Sequence, residues 1–268
     1  MGSLDLSGRK ALVTGGAQGL GEGMAKALAA AGAKVVISDL QKDAGEAVAD
    51  ALDSEFGAGN GFVAHDITDD GQWENAVVAA TDILGGLDLL VNNAGVEITS
   101  LLTEVTAEDI RKMLEVNVLG TTLGVKWGLR TMRPDGLAGQ GGAIINVASV
   151  AATIAFPGIA VYSATKAAVD RLTRVAAMES GKLGYGVRVN CIYPGLVATP
   201  MGLGLANDCA QLGLFESPEA AVGAVVELTP AGRLGEVADM ADAVVFLASN
   251  EARFITGIGL PVDGGMGM

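Results

Sequence analysis

Histidine occurs once, as His65, and cysteine twice, as Cys191 and Cys209, in a chain of 268 residues. One histidine and two distant cysteines leave no believable zinc cluster at ligand spacing, and two cysteines are too few for a disulfide framework. Basic residues are also scarce, 17 Lys and Arg against 31 Asp and Glu, so the formal charge is -14. Phosphate backbones and anionic lipid surfaces are repelled by such a balance, and no nucleic-acid partner is expected. Long apolar runs are missing too. Nothing approaches the roughly 18 residues of a membrane span, and residues 1–10 lack a long apolar stretch behind a basic flank. A cytoplasmic location without a membrane partner is the expectation.

What is abundant is apolar residues, at 50%, and glycine, at 39. Together they suit one compact α/β domain over residues 1–268. Short apolar runs alternate with helical patterns from Lys10 onward: residues 11–13, then a helix over 21–31, then 35–37, then a helix over 42–52. Further strand-like runs stand at 61–64, 87–91, 142–147, 187–192 and 258–262, separated by segments long enough for crossover helices. The simplest solution is a doubly wound, seven-stranded parallel sheet with helices on both faces, a single-domain Rossmann fold. Residues 133–142 form a glycine-rich loop. Residues 201–233 break the alternation and are expected to cover a substrate site.

The first strand ends in Thr14-Gly15-Gly16-Ala17-Gln18-Gly19-Leu20-Gly21. Glycines there permit a tight turn and let backbone approach a pyrophosphate at the next helix's N-terminus. An ordinary strand-to-helix turn is the competing explanation, and the strand before and helix after favour nucleotide binding. Asp39 follows Gly21 by eighteen residues, at the end of the second strand, where a carboxylate accepts hydrogen bonds from an adenosine ribose and repels a 2′-phosphate. Lys42 is near, but no arginine directly follows, so NAD is favoured over NADP.

Tyr162 and Lys166 are four residues apart, on one face of a helix at about 5–6 Å between Cβ atoms. An ammonium at that distance favours the phenolate and brings proton transfer toward neutral pH, although alone the pair is a common surface arrangement. Ser149, at a strand end, can donate to a substrate oxygen or merely cap a turn. A serine hydrolase would need a base beside it, and the sole histidine lies at another strand end.

In that order these motifs resemble the short-chain dehydrogenase/reductase family, from about residue 6 to 265. The family's glycine motif matches Gly15, Gly19 and Gly21, its adenine-side aspartate Asp66, and its Asn-Asn-Ala-Gly motif Asn92-Asn93-Ala94-Gly95. Its active-site asparagine matches Asn117, and Ser149, Tyr162 and Lys166 complete a tetrad. Pro194-Gly195-Leu196-Val197-Ala198-Thr199 resembles the segment that holds the nicotinamide carboxamide.

The resemblance implies cofactor contacts from Gly15, Gln18, Gly19, Leu20, Gly21, Asp39, Leu40, Asp66, Ile67, Asn93, Ala94, Gly95, Tyr162, Lys166, Pro194, Gly195, Val197 and Thr199. It implies that Tyr162 moves the hydroxyl proton, Ser149 orients the carbonyl, Lys166 binds ribose and lowers the tyrosine pKa, and Asn117 supports a relay water. Asn92, Asn93 and Asn117 could equally serve as braces.

Ala151, Ala152, Ile154, Phe156, Pro157, Ile159 and Tyr193, near the expected site, include no lysine or arginine, so an uncharged, bulky secondary alcohol or ketone is the expected partner. Local phrases resemble bacterial hydroxysteroid dehydrogenases of the family. Its usual assemblies imply a homotetramer through helices at 107–132 and 163–183, with 254–268 joining in. Two rivals are a 3-oxoacyl carrier-protein reductase, with Arg130, Arg171 and Arg174 as docking cations, and a non-catalytic NAD(H) sensor. The acidic total weighs against the first, the complete tetrad against the second.

Overall fold

The computed structural model describes residues 4–268. Seven parallel strands form one sheet: β1 (Lys10–Thr14), β2 (Lys34–Asp39), β3 (Gly61–Ala64), β4 (Leu89–Asn92), β5 (Gly142–Val147), β6 (Val187–Pro194) and β7 (Gly259–Val262). They lie in the order β3-β2-β1-β4-β5-β6-β7. The central strands β1, β2, β4 and β5 are mostly buried apolar runs because both faces are covered. Neighbouring residues therefore serve opposite cores. Val13, Val35 and Ile37 pack with Met24, Leu28 and Val244 on one side, while Leu12, Val36 and Leu90 pack with Trp73, Trp127 and Ile144 on the other.

The helices are α1 (Gly19–Ala30), α2 (Lys42–Phe56), α3 (Asp70–Leu84), α4 (Ala107–Met113), α5 (Thr121–Met132), α6 (Ala160–Lys182), α7 (Pro200–Gln211), α8 (Pro218–Leu228) and α9 (Val237–Ala248). Local chemistry sets their ends. The Asp69 carboxylate accepts from the N–H groups of Gly71 and Gln72 to start α3, and Gly85, at φ 66°, ends it. Thr106 and Asp109 form a reciprocal capping box at α4. Pro200 and Pro218 open α7 and α8 behind Thr199 and Ser217, whose hydroxyls accept from the third residue on.

Three expectations are refined. The first helix begins at Gly19, two residues earlier than its apolar period indicated, because the glycine turn is itself the helix start. The expected helix over 107–132 is interrupted by a π-helical stretch, Leu114–Gly120, carrying Asn117. The break in alternation at 201–233 contains α7 and α8, an excursion whose two ends are tied together beyond the sheet: Val197 bridges Gly235, and Gly235 N–H donates to Leu196 O at 2.8 Å.

Strand order reverses direction between β1 and β4. Connections diverge there, leaving a crevice at the carboxyl ends of the strands.

Candidate active site

A cavity of about 480 Å³ occupies this crevice. At the β1–β2 end its wall is mainly backbone. Gly15 has φ +64°, and a Cβ on it would lie 2.8 Å from Ala94 Cα. Gly19, at φ +60°, has nothing within 4 Å of a Cβ position, so the space above it is open to a ligand. Gln18 makes no side-chain cap, leaving the first-turn N–H groups of α1 uncapped. Gly21 does not line the cavity: a Cβ there would meet the Gly15 oxygen at 2.1 Å, so its task is to let α1 pack under the turn. The Asn93 amide ties the turn down, donating to Thr14 O (3.0 Å) and Gly15 O (3.1 Å).

Asp39 is held by two backbone groups, accepting from Ala17 N–H at 3.1 Å and Gln41 N–H at 3.0 Å. Leu40 beside it is 70% exposed and lines the cavity mouth. Asp66 accepts from Thr68 N–H (2.9 Å) and the Thr68 hydroxyl (2.8 Å), with Ile67 alongside. His65 is buried below, near Ser38 Oγ at 3.2 Å and edge-on to Trp73, and burial pulls its pKa down to about 4. An open glycine cradle, uncapped helix N–H groups and a fixed carboxylate at the second strand's tip fit a dinucleotide. Gln18, Leu20, Ala94, Gly95, Pro194, Gly195, Val197 and Thr199 line the same cavity.

Ser149, Tyr162 and Lys166 meet in the middle. Ser149 leaves β5 in an extended conformation, and its oxygen accepts from Ala151 N–H at 3.1 Å. Tyr162 and Lys166 rise from the first turns of α6. Lys166 is 5% exposed, and its Nζ donates to Val147 O at 2.8 Å and lies 5.5 Å from the Tyr162 ring centroid. Burial lowers the Lys166 pKa to about 8. Burial also pushes the Tyr162 phenol up to about 12; the Ser149 hydroxyl opposes that shift and the charge of Glu97 adds to it. In the protein alone, desolvation therefore outweighs any help that the ammonium gives the phenolate.

Asn117 stands one layer behind the cavity wall. Its Oδ1 accepts from Val96 N–H (2.9 Å), and its Nδ2 donates to Val96 O (2.8 Å) and Thr165 Oγ1 (3.1 Å). Thus the asparagine does brace backbone, joining the loop after β4 to the helix bearing Tyr162. Asn92 braces likewise: its Nδ2 donates to Asn146 Oδ1 (2.8 Å), whose Nδ2 donates to Thr173 Oγ1 (2.9 Å).

Of the residues expected around the substrate, Ala151, Ile154, Phe156 and Ile159 line the cavity; Ala152, Pro157 and Tyr193 do not. Tyr193 lies on the face of β6 turned to α6, where its hydroxyl donates to Asp170 Oδ1 at 2.5 Å. One lining carboxylate, Glu97, is absent from the expected set, although it lies only two residues past the Asn-Asn-Ala-Gly motif. The lining also includes Lys112, an exposed lysine outside the expected set. No helix among the described residues is long and apolar enough to cross a membrane, and among them no His, Cys, Asp and Glu cluster is placed to hold a metal.

Comparison with known proteins agrees with this geometry. A family model described as Enoyl-(Acyl carrier protein) reductase matches residues 15–267. Trans-4-hydroxycyclohexanecarboxylate dehydrogenase of Sinomonas cyclohexanicum is 38% identical over 260 residues, 95% of this chain and 91% of the relative. The 3-beta-hydroxysteroid dehydrogenase of Comamonas testosteroni is 36% identical over 267 residues, 98% of each chain. A crystal structure assigned as a short-chain alcohol dehydrogenase, from Sinorhizobium meliloti 1021, superposes with a TM-score of 0.86 at 32% identity, covering 98% of this chain and 97% of the other. The chain belongs to the short-chain dehydrogenase/reductase family, as an alcohol oxidoreductase built for a nicotinamide cofactor.

Proposed function

We propose that this protein is an NAD-dependent dehydrogenase that interconverts a neutral, bulky or alicyclic secondary alcohol, such as a hydroxysteroid, and its ketone. The observation that carries the reading is the convergence of Ser149, Tyr162 and Lys166 on the cavity whose far end holds Asp39 and the glycine turn. A bound nicotinamide supplies the hydride acceptor or donor. Tyr162 takes the carbinol proton in oxidation and returns it in reduction. Ser149 donates a hydrogen bond to the substrate oxygen and fixes it beside the phenol. Lys166 adds a positive field below the phenol, and Asn117 keeps the loop after β4 and α6 in register.

For NAD rather than NADP, the support is a carboxylate at the tip of β2 already turned by two backbone N–H groups, followed by the apolar Leu40. For an apolar substrate, it is the lining of Ile154, Phe156, Leu205 and Val225, with α7 and α8 as the cover over the chemistry. Relatives act on a carboxylated cyclohexanol and on steroids, so the non-reacting end of the substrate is where specificity diverges. Of the three docking cations of the carrier-protein reading, Arg174 is already paired with Asp170. Assembly into a homotetramer is supported by apolar residues left exposed, Val175 and Met178 on α6 and Leu114 and Leu119 on the π-helical stretch.

The test is NADH formation, followed by absorbance, with 3- and 17-hydroxysteroids, cyclic and aryl secondary alcohols and a 3-hydroxyacyl thioester. Selective turnover of a steroid or cyclic alcohol upholds the reading. Turnover of the thioester alone transfers it to the carrier-protein reductase, and NADH binding with no turnover anywhere overturns it in favour of a sensor.

A further inference from the structure

The loop after β4 carries a carboxylate that none of these steps employs. Glu97 lines the cavity, and the chain on both sides of it is fixed. Val96 is clamped at N–H and C=O by Asn117, and Ser100 N–H donates to Gly158 O at 2.8 Å. Both anchors belong to the elements that position Tyr162. The Thr99 hydroxyl lies 3.0 Å from each Glu97 carboxylate oxygen. A Cβ on Gly158 would lie 3.3 Å from Thr99 Cγ2, 3.3 Å from Leu214 Cδ1 and 3.8 Å from Cys209 Sγ, so Thr99, α7 and the turn after it all converge on Gly158. Glu97 lines the same cavity as Tyr162, at the reacting centre, and Cys209, on the covering helix α7.

The two lysines that share the cavity of Glu97, Lys112 and Lys166, do not pair with it. Among the described residues Glu97 forms no ion pair, and Asp208 on α7 adds a second negative charge. Burial, with Asp208 reinforcing it, pushes the Glu97 pKa up to about 7 against the Thr99 hydrogen bond. A partly buried carboxylate has about four acceptor sites, and one hydroxyl does not fill them. What enters the cavity must therefore either donate to Glu97 or leave it desolvated at a cost.

We propose that Glu97 reads the non-reacting end of the substrate, accepting a hydrogen bond from a second hydroxyl there and turning away a carboxylate. The substrate class is then a diol or a hydroxylated ketone. The inference rests on the dehydrogenase reading above and narrows it. An ammonium would also be attracted, but Ile154, Phe156 and Leu205 make its desolvation costly in the same space.

The experiment is steady-state oxidation with NAD at about pH 9, where a carboxyl of pKa about 7 is ionised, of a matched series on whichever ring system the wild type turns over, cyclohexane or steroid. Members differ only in the substituent farthest from the carbinol: hydroxyl, methyl, amino or carboxylate. Wild type is expected to rank hydroxyl first and carboxylate last in kcat/KM, with hydroxyl ahead of methyl by roughly tenfold to a hundredfold. Glu97→Gln keeps an acceptor without the charge, so it should hold the hydroxyl preference within a few-fold and raise the carboxylate at least about tenfold. Glu97→Leu should erase the hydroxyl preference and favour methyl.

NADH binding, read by fluorescence, reports whether each variant is folded; if one fails, the wild-type ranking alone decides. Wild type without a hydroxyl preference, an amino compound ranked first, or Glu97→Leu with unchanged ratios each overturns the assignment while the dehydrogenase reading stands. No turnover of any alcohol overturns both.

Discussion

At the dinucleotide end of the cavity the surface offered to a ligand is mostly main chain: the turn Gly15–Leu20, the uncapped start of α1, and an aspartate aimed by two backbone N–H groups. At the substrate end it is side chains, contributed by Ile154, Phe156, Leu205 and Val225 from three separate segments, with Glu97 among them. Main-chain geometry restricts which residues can stand at a position: a Cβ on Gly21 would collide with the Gly15 oxygen at 2.1 Å. Side-chain walls impose volume and polarity, which many residue combinations satisfy. One end of the molecule is therefore built for a single ligand class, while the other can be refitted without disturbing it. Tyr162, Ser149 and Lys166 stand at the junction.

Removing the phenolic hydroxyl at that junction has the largest expected effect. Tyr162→Phe should lower kcat by roughly 10²–10⁴-fold, the usual contribution of a positioned acid or base, and leave NADH affinity within about twofold. A parallel loss of NADH binding would mean that the junction cannot be separated from the dinucleotide end. Next in size is Asp39→Ala, which removes the ribose acceptor and the repulsion of a 2′-phosphate. The ratio of kcat/KM for NAD over NADP should fall by about 10- to 100-fold, with the ranking of alcohols unchanged. If alcohol ranking moves with the cofactor ratio, the ends are coupled and the comparison fails.

The same division explains what could be read from sequence. Both-face burial turns a parallel strand into a solid apolar run, so 35–37 and 142–147 announced themselves, and glycines demanded by positive φ or close approach marked the turn after β1. Strand order was not legible, since nothing local tells β4 to pair with β1. Nor was the π-helical stretch: Leu114–Gly120 keeps a helical pattern, and its register is set by contacts from outside. Asn117 reaches Val96 and Thr165, and a Cβ on Gly120 would lie 2.5 Å from Ile67 Cδ1. Tyr193 was placed at the wrong site because strand parity, which sends its hydroxyl to Asp170, is visible only once the face of β6 is known. Glu97 was missed because a charged residue in a loop reads as solvated until the cover over it is seen.

Lys166 sharpens the junction through pH. Its folded pKa of about 8 lies below the ordinary 10.5, so between these values the unfolded chain binds more protons than the native one. Stability of the cofactor-free protein should rise with pH across that window, by at most about 1.4 kcal/mol per pH unit from this group. Tyr162, with its folded pKa raised to about 12, opposes this only above its ordinary value of 10. Urea unfolding of wild type and Lys166→Met at pH 8 and 9.5 isolates the contribution: the wild type should gain stability relative to the variant. An equal response of both proteins would mean that the ammonium is better solvated than its bond to Val147 O allows.

The smallest expected effect tests the substrate end alone. Phe156, on the segment between Ser149 and Tyr162, stacks with Phe215, between α7 and α8, at a centroid distance of 6.1 Å and 16° between ring planes. The pair ties the covering excursion to the catalytic side of the cavity, where Phe156 itself faces the ligand. An aromatic pair of this kind contributes about 0.5–1.5 kcal/mol beyond its buried area. Phe215→Ala should therefore raise KM for a bulky alcohol by roughly 2- to 10-fold, leave kcat nearly unchanged, and leave the NAD-to-NADP ratio untouched. Phe215→Leu, which restores apolar volume without the ring, separates stacking from simple cover. Recovery of KM by leucine would assign the effect to buried area, whereas failure to recover would assign it to the paired rings. A fall in kcat with constant KM would instead show that closure of α7 and α8 positions the reacting atoms, and the substrate end would then have to be counted as part of the junction.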